Sequence, residues 1–495
     1  EANAVTATMA AAGTTVSALD IAVLFPTVTT TGGDTVSPTS WSYVLVAGAV
    51  AAGTSPNPGQ INANTTADIV LEEGESYTYS DHMTSSKTET ESSTETTMVR
   101  TGTGGIAVTA SGDLLLDGQA VIYTAGHRDT TTYSDFVQNA RHLGGNTSFS
   151  LMSDPSWGVD GGELNIAVGG DITAEMDSDE GQAFSEWLQR EGTVNSDGTF
   201  SVQSAWWVDY GAFNYGVGAL GGGNVTVSAG GDLVDLGVYL PTNGFVRGGR
   251  TTDEAKVLVM NNGGALTVTA GGSIYGGQYY VGRGEAEIAA AAIETGRTIE
   301  ISYWNYNNTE LTTLTYTLPT VLALGDATMS VTTAGDMTIG TVLDPLLTTM
   351  PYGPGTGNST RYEYSAYMSG YTERTELDLL SVGGDVTISG VPVIKVNSYN
   401  YYISPGVVSG VLNGSFTNEM EDSSLAELAE SSRNNVKKIL VMPGTDFNLS
   451  ILANDDITPG TIVMGQVMLS GGAYAVRSAE VYAGIMSTSG VLAQE

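Results

Sequence analysis

Residues Gly222 to Val234 read Gly-Gly-Asn-Val-Thr-Val-Ser-Ala-Gly-Gly-Asp-Leu-Val. Val225, Val227 and Ala229 fall at every second position with Thr226 and Ser228 between them, the pattern of a short strand that buries one face. Gly230, Gly231 and Asp232 then make a turn into a second apolar strand. The glycine pair is expected to supply positive φ, and the aspartate to accept hydrogen bonds from the amides of its own corner. A strand this short cannot bury its face alone, so it needs stacked neighbours of the same kind.

Such neighbours recur along the chain. They are Gly104 to Leu116, Gly161 to Thr173, Gly263 to Tyr275, Asp326 to Ile339, Gly383 to Ile388 and, more loosely, Asn448 to Ile457. Repetition of a strand-turn-strand phrase is the signature of a solenoid. The expected fold class is therefore all-β, a right-handed parallel β-helix with lateral loop insertions and one or two short helices, its handedness taken from the resemblance given below. The corner residues Asp113, Asp171, Asp232, Ser273, Asp336, Asp385 and Asp456 are 58, 61, 41, 63, 49 and 71 residues apart. These intervals predict two or three coils each, only one of them carrying the phrase.

Between the phrases lie excursions. Tyr77 to Thr101 is a polar Ser/Thr/Glu tract, read as an exposed hairpin or a loop. Asp177 to Gly192 carries Phe184, Trp187 and Leu188 at helical spacing and predicts a short helix. Ser424 to Val441 predicts a second helix, with a capping box at Ser424 and Glu427 and basic Lys437 and Lys438 late. The chain divides into a β-rich region over 1–100 with the polar excursion, a body over 101–460, and C-terminal strands over 461–495 that could cap the body or make contacts.

The 495 residues include 54 Asp and Glu against 17 Lys and Arg, a net charge of −37, so nucleic acid and anionic membranes are poor partners. Cysteine is absent, which excludes disulfides, thiolate chemistry and Cys-ligated metals. The apolar run from Tyr43 to Gly53 is too short to span a bilayer. The chain reads as a processed piece of something longer.

The phrase at Gly222 to Asp232, with Trp206 to Tyr210 (WWVDY), Gly216 to Gly223 (GVGALGGG) and Pro241 to Gly244, resembles the large two-partner-secretion exoproteins of the filamentous-haemagglutinin family. Tyr280 to Gly284, Leu318 to Asp326, Ser40 to Ala49, Val121 to Gly126 and Trp157 to Gly162 extend the resemblance. It implies a right-handed parallel β-helix, export through a dedicated outer-membrane pore, residence outside the bacterial cell, and no catalytic residues. The family's secretion domain and signal are not in this sequence.

Chemistry is sparse. His82, His127 and His142 lack metal-ligand spacing. Asn454-Asp455-Asp456 is the one acidic pair that invites comparison with a glycosidase, and it lacks the His and basic partners such a site needs. Asp455 and Asp456 are also the candidate ligands for Ca²⁺, the one cofactor considered. Recognition falls to aromatic clusters able to stack on sugars or anchor a protein. These are Trp206, Trp207 and Tyr210; Tyr279 and Tyr280; Trp304 and Tyr306; and Tyr399, Tyr401 and Tyr402. The same residues packed inside a β-helix would serve structure instead. The expectation is a non-catalytic surface exoprotein for adhesion or extracellular structure. Its partners would be copies of itself, neighbouring surface proteins, or a host-cell or glycan ligand. Alternatives are an end-to-end filament or sheath subunit and, further off, a carbohydrate-active enzyme.

Overall fold

A computed structural model describes residues 40–48, 66–74, 96–129, 157–175, 184, 187–190, 199–200, 203–249, 251–298, 317–346, 370–389, 410–417 and 451–457 in full. Further strands, from Val28–Thr29 to Leu492–Ala493, are described by backbone alone.

The alternating segments form strands, and the strands stack into parallel ladders. The first ladder takes Tyr43–Ala47, Ile106–Ala110, Leu164–Val168, Val225–Ala229 and Gly264–Ala270 in register. It continues through the second halves of Gln278–Ala290 and Val321–Thr333 to Glu376–Ser381, Val407–Leu412 and Asn448–Ala453. The second ladder starts at Ile69–Leu71, Leu114–Leu116 and Ile172–Ala174 and ends at Ile457–Thr458, ten strands in all. The third stacks Thr97–Thr101, Ala120–Thr124, Gly216–Ala219 and Gly237–Leu240 on the first half of Gln278–Ala290. The chain visits first, second and third ladders in that order and returns one strand spacing further on. The fold is all-β and parallel, and its ladders run across the sequence boundaries drawn at 100 and 460.

One circuit is much shorter than the corner spacing. Leu266 pairs with Ala286 after only 20 residues, close to the least a parallel crossover needs. The intervals of 58, 61, 41 and 49 residues therefore each hold one circuit, with the surplus in excursions. Only Ser273 to Asp336 and Asp385 to Asp456 hold two, through the intermediate corners Ala292 and Ser415. The expectation of two or three coils throughout is corrected accordingly.

Inward positions form the core. Ile106, Leu164, Val225 and Leu266 stack directly, as do Val108, Ile166, Val227 and Val268, all at most 1% exposed. Burying each such side chain is worth about 1.5–3 kcal/mol. Two corners explain the glycines. Where the third ladder hands over to the first, Gly223 and Gly263 have φ of 118° and 117°, a region that strains any residue with a Cβ. Where the first hands over to the second, the Gly-Gly-Asp pair has no positive φ, contrary to expectation. A Cβ on Gly231 would instead lie 2.0 Å from Asp171 Oδ1, one circuit below.

The helix expected to Gly192 is also corrected. Phe184 and Trp187 are helical, but Leu188–Val194 is a strand, because its residues pair with Phe200–Val208. Ile439–Val441 is likewise a strand, and the rest of the helix expected from Ser424 lies outside the described residues. The polar tract forms the antiparallel hairpin Ser76–Thr84 with Lys87–Thr94, as one of its two readings had it.

Candidate functional site: the lateral sheet and its aromatic base

An antiparallel sheet stands beside the third ladder. Its strands are, in spatial order, Leu188–Val194, Phe200–Val208, Asn243–Arg247 and Val257–Asn261. They leave the circuits as excursions and return to them, and they cover the third ladder on its outer side. Every residue of Ala120–Thr124, Gly216–Ala219 and Gly237–Leu240 is buried as a result.

The aromatic residues that the sequence offered for recognition form the base of this sheet. Trp206, Trp207, Tyr210, Tyr279 and Tyr280 are each at most 3% exposed, so none can stack on a ligand from solvent. The physical reason is that an aromatic pair is the largest available filler between a ladder and a covering sheet. Trp206 Nε1 donates to Thr242 Oγ1 at 3.1 Å, and the Tyr210 hydroxyl donates to the Ala125 carbonyl at 3.0 Å. Trp157 meets Phe245 edge-on at 5.8 Å and tilts against Trp207 at 6.5 Å. Phe184, Trp187, Phe213 and Tyr239 interlock edge to face, and Phe184 also contacts Tyr280. The side chains of Trp304, Tyr399, Tyr401 and Tyr402 lie outside what the structure describes, although all four belong to strands. Tyr306 lies wholly outside the described residues.

Charges are built into the same base. The Arg100 guanidinium stands over Tyr123 and Tyr210, 5.4 and 5.7 Å from the ring centres, in cation–π geometry. Arg190 is buried and donates to the Pro345 carbonyl, which ties the lateral strand Leu188–Val194 to the main body. Asp344, also buried, accepts the amides of Leu346 at 3.0 Å and Gly370 at 2.5 Å. Burial pushes the phenols of Tyr210, Tyr215, Tyr239, Tyr279 and Tyr280 well up, with the charge of Asp344 adding to the effect at Tyr280. A phenol so held is neither a base nor a nucleophile near neutrality.

The remaining candidates are not brought together. His127 Nδ1 lies 3.7 Å from Asp160 Oδ2, beyond hydrogen-bond length. His82 is in the polar hairpin and His142 is outside the described residues. Asp455 accepts from Asn454 Nδ2 at 3.4 Å, and the Asp456 amide donates to Ser415 Oγ at 3.3 Å, which closes a corner. Among the described residues no group of three acidic or histidine side chains is placed to hold a metal.

The exposed apolar features lie away from the aromatic clusters. Val257 and Leu258 stand exposed on Val257–Asn261, a lateral edge strand paired on one side only among the described residues. Leu380, Val411 and Leu452 are exposed and in register on the outer face of the first ladder. The run of Val257 to Met260, apolar without alternation and followed by Asn-Asn-Gly-Gly, was the available signal. No protein-family model, curated protein or solved structure matches the chain.

Proposed function

We propose that the chain is a right-handed parallel β-helix and a non-catalytic, secreted exoprotein of the bacterial surface, serving adhesion or extracellular structure. The observation that carries this reading is the division of labour along the chain. Three ladders are revisited in fixed order, and among the described residues the surplus sequence leaves them as hairpins and one lateral sheet. That is a scaffold for display. The filamentous-haemagglutinin-like phrases and the net charge of −37 support residence outside the cell. Ligand contact then belongs to the lateral excursions, with a host surface, a glycan or a neighbouring surface protein as the partner.

Electron microscopy of the native protein, on and off the cell and with and without a calcium chelator, tests this. Isolated rods projecting from cells are expected, unchanged by chelation unless Ca²⁺ at Asp455 and Asp456 contributes. Ordered polymers with a fixed axial repeat would replace adhesion with the filament reading, and compact intracellular particles would remove both.

A further inference from the structure

The N-terminal end of the stack differs from the rest of the surface. Tyr43–Ala47, Ile69–Leu71 and Thr97–Thr101 open the three ladders, and each pairs on one side only among the described residues. Their other edges meet no strand among the described residues, and a strand edge left so presents N–H and C=O groups around the end of the core. Apolar side chains gather there too. Trp41 is 88% exposed, Tyr43, Val44, Val70 and Met98 are exposed, and Leu45, Ile69, Leu71 and Val99 are only half-buried. At the other end the first ladder closes with an antiparallel pair, Ile485–Ser487 with Leu492–Ala493.

The corner between first and second ladders limits what can cover this end. A Cβ on Gly112, Gly170, Gly231 or Gly272 would lie within 2.0 Å of Oδ1 of Asp68, Asp113, Asp171 or Asp232 below. Glycine is therefore required wherever an aspartate corner lies beneath. It is not required elsewhere: Ala291 stacks above Gly272, whose neighbour is Ser273, and Asp455 stacks above Gly414, whose neighbour is Ser415. The first corner is Ala67–Asp68, and its methyl group occupies the space an aspartate carboxylate beneath would need. Continuation of the ladders by another Gly-Gly-Asp circuit, in the same polarity, is thereby excluded.

A twofold axis across the end satisfies the edges differently. It sets Tyr43–Ala47 antiparallel to itself in a second copy, and Ile69–Leu71 against the copy's Thr97–Thr101. The acidic flanks Asp68, Glu72 and Glu73 then face Thr97–Thr101, which carries no acidic residue, rather than each other. Ala67 faces the copy's Ser40–Ser42 and Gly102–Gly105, which hold no carboxylate, and Trp41 is covered. We propose that this end is a homodimer face at which two copies meet head to head. The proposal does not rest on the adhesin reading.

Sedimentation equilibrium of the full chain tests it. At roughly 100 µM, far above the dissociation constant of a micromolar complex, the expected mass is close to twice 51.3 kDa. Trp41→Glu and Val70→Lys, both at exposed positions, should restore the monomer with its β-sheet dichroism unchanged. Because the chain has no cysteine, Val44→Cys can oxidise only to another copy, and it should cross-link far faster than Val411→Cys. A wild-type monomer, a dimer that survives Trp41→Glu, or mass that keeps growing with concentration would overturn the proposal.

Discussion

Asp171 accepts the backbone N–H of Asp232 at 2.7 Å, although the two residues are 61 positions apart in sequence. The same relationship joins Asp68 to Asp113, Asp113 to Asp171, Asp232 to Ser273, Asp336 to Asp385 and Asp385 to Ser415. The corner aspartate does not cap its own turn; it holds the next circuit in register. The carboxylate lies where a Cβ of the glycine above would be, so Gly and Asp in the phrase are one device divided between circuits.

Gly231→Ala should therefore destabilise the chain by about 2–4 kcal/mol, the cost of displacing a hydrogen-bonded carboxylate in a close-packed stack. Gly211→Ala, where the nearest atom is 3.4 Å away, should be nearly neutral. Adding Asp171→Ala to Gly231→Ala should recover most of the loss, since it removes the obstructing oxygen. Denaturant midpoints of the single and double variants give the coupling directly. Additive losses would show that the corner is not the source of the strain.

Asp235 and Arg297 predict a pH dependence. Their Oδ2 and Nε are 2.8 Å apart, with Asp235 1% exposed and Arg297 35%. Burial lifts the Asp235 carboxyl above its ordinary 3.8, and the hydrogen bonds and charge of Arg297 oppose that lift only in part. The folded chain thus keeps this proton to higher pH than the unfolded chain does. The associated stability is fully present below 3.8 and is lost as pH rises through the lifted value. Arg297→Ala should cost about 2–4 kcal/mol at neutral pH, less than for a fully buried pair because Arg297 keeps contact with water. The cost should shrink on acidification, and a penalty independent of pH would refute the assignment.

Trp157 tests the reading of the aromatic clusters. It is fully buried between Trp207 and Phe245, so Trp157→Ala should cost about 3–5 kcal/mol and weaken the near-ultraviolet dichroism of the lateral sheet. A recognition aromatic on the surface would lose ligand binding with its melting curve intact. Chemical denaturation followed by both signals separates the two.

How much was legible can be traced to physical range. Alternation in Val225 to Ala229 is local, so strand, buried face and repetition could all be read directly. The partner of Asp232 is one circuit away, and no local pattern states how long a circuit is. Excursions of variable length hid the 20-residue circuit seen between Leu266 and Ala286. Trp206 and Trp207 announced themselves as large and amphipathic, but whether such rings face a ligand or a ladder depends on the covering sheet. Phe184, Trp187 and Leu188 match a helical spacing, whereas the pairing of Leu188 with Val208, 20 residues on, decides for strand.

The excursion from Thr298–Trp304 to Leu311–Thr317 tests the proposed division between scaffold and display. It leaves and rejoins the ladders at adjacent points, where the Leu318 amide donates to the Arg297 carbonyl at 2.8 Å and the Gly296 amide donates to the Leu318 carbonyl at 2.7 Å. Replacing residues 298–317 by a short turn should change stability by less than about 1 kcal/mol, since shortening a surface loop costs little entropy. If Trp304 and Tyr306 contribute recognition, the shortened chain should fold normally and lose cell binding.

Alkaline titration gives the last prediction. In the folded chain the phenols of Tyr215, Tyr239 and Tyr371 are raised well above the ordinary 10.0, chiefly by burial. The native state then holds protons that the unfolded state releases above about pH 10, so stability should fall as pH rises past that point. Phenolate absorbance should appear in two stages, exposed tyrosines first and the buried set only together with loss of the β-sheet dichroism. Tyr239→Phe, which removes one buried ionisable group but also its hydrogen bond to Gln278 at 3.2 Å, should flatten the alkaline slope. At neutral pH it should cost about 1 kcal/mol. Complete phenolate formation before any loss of structure would mean that the aromatic base is open to water.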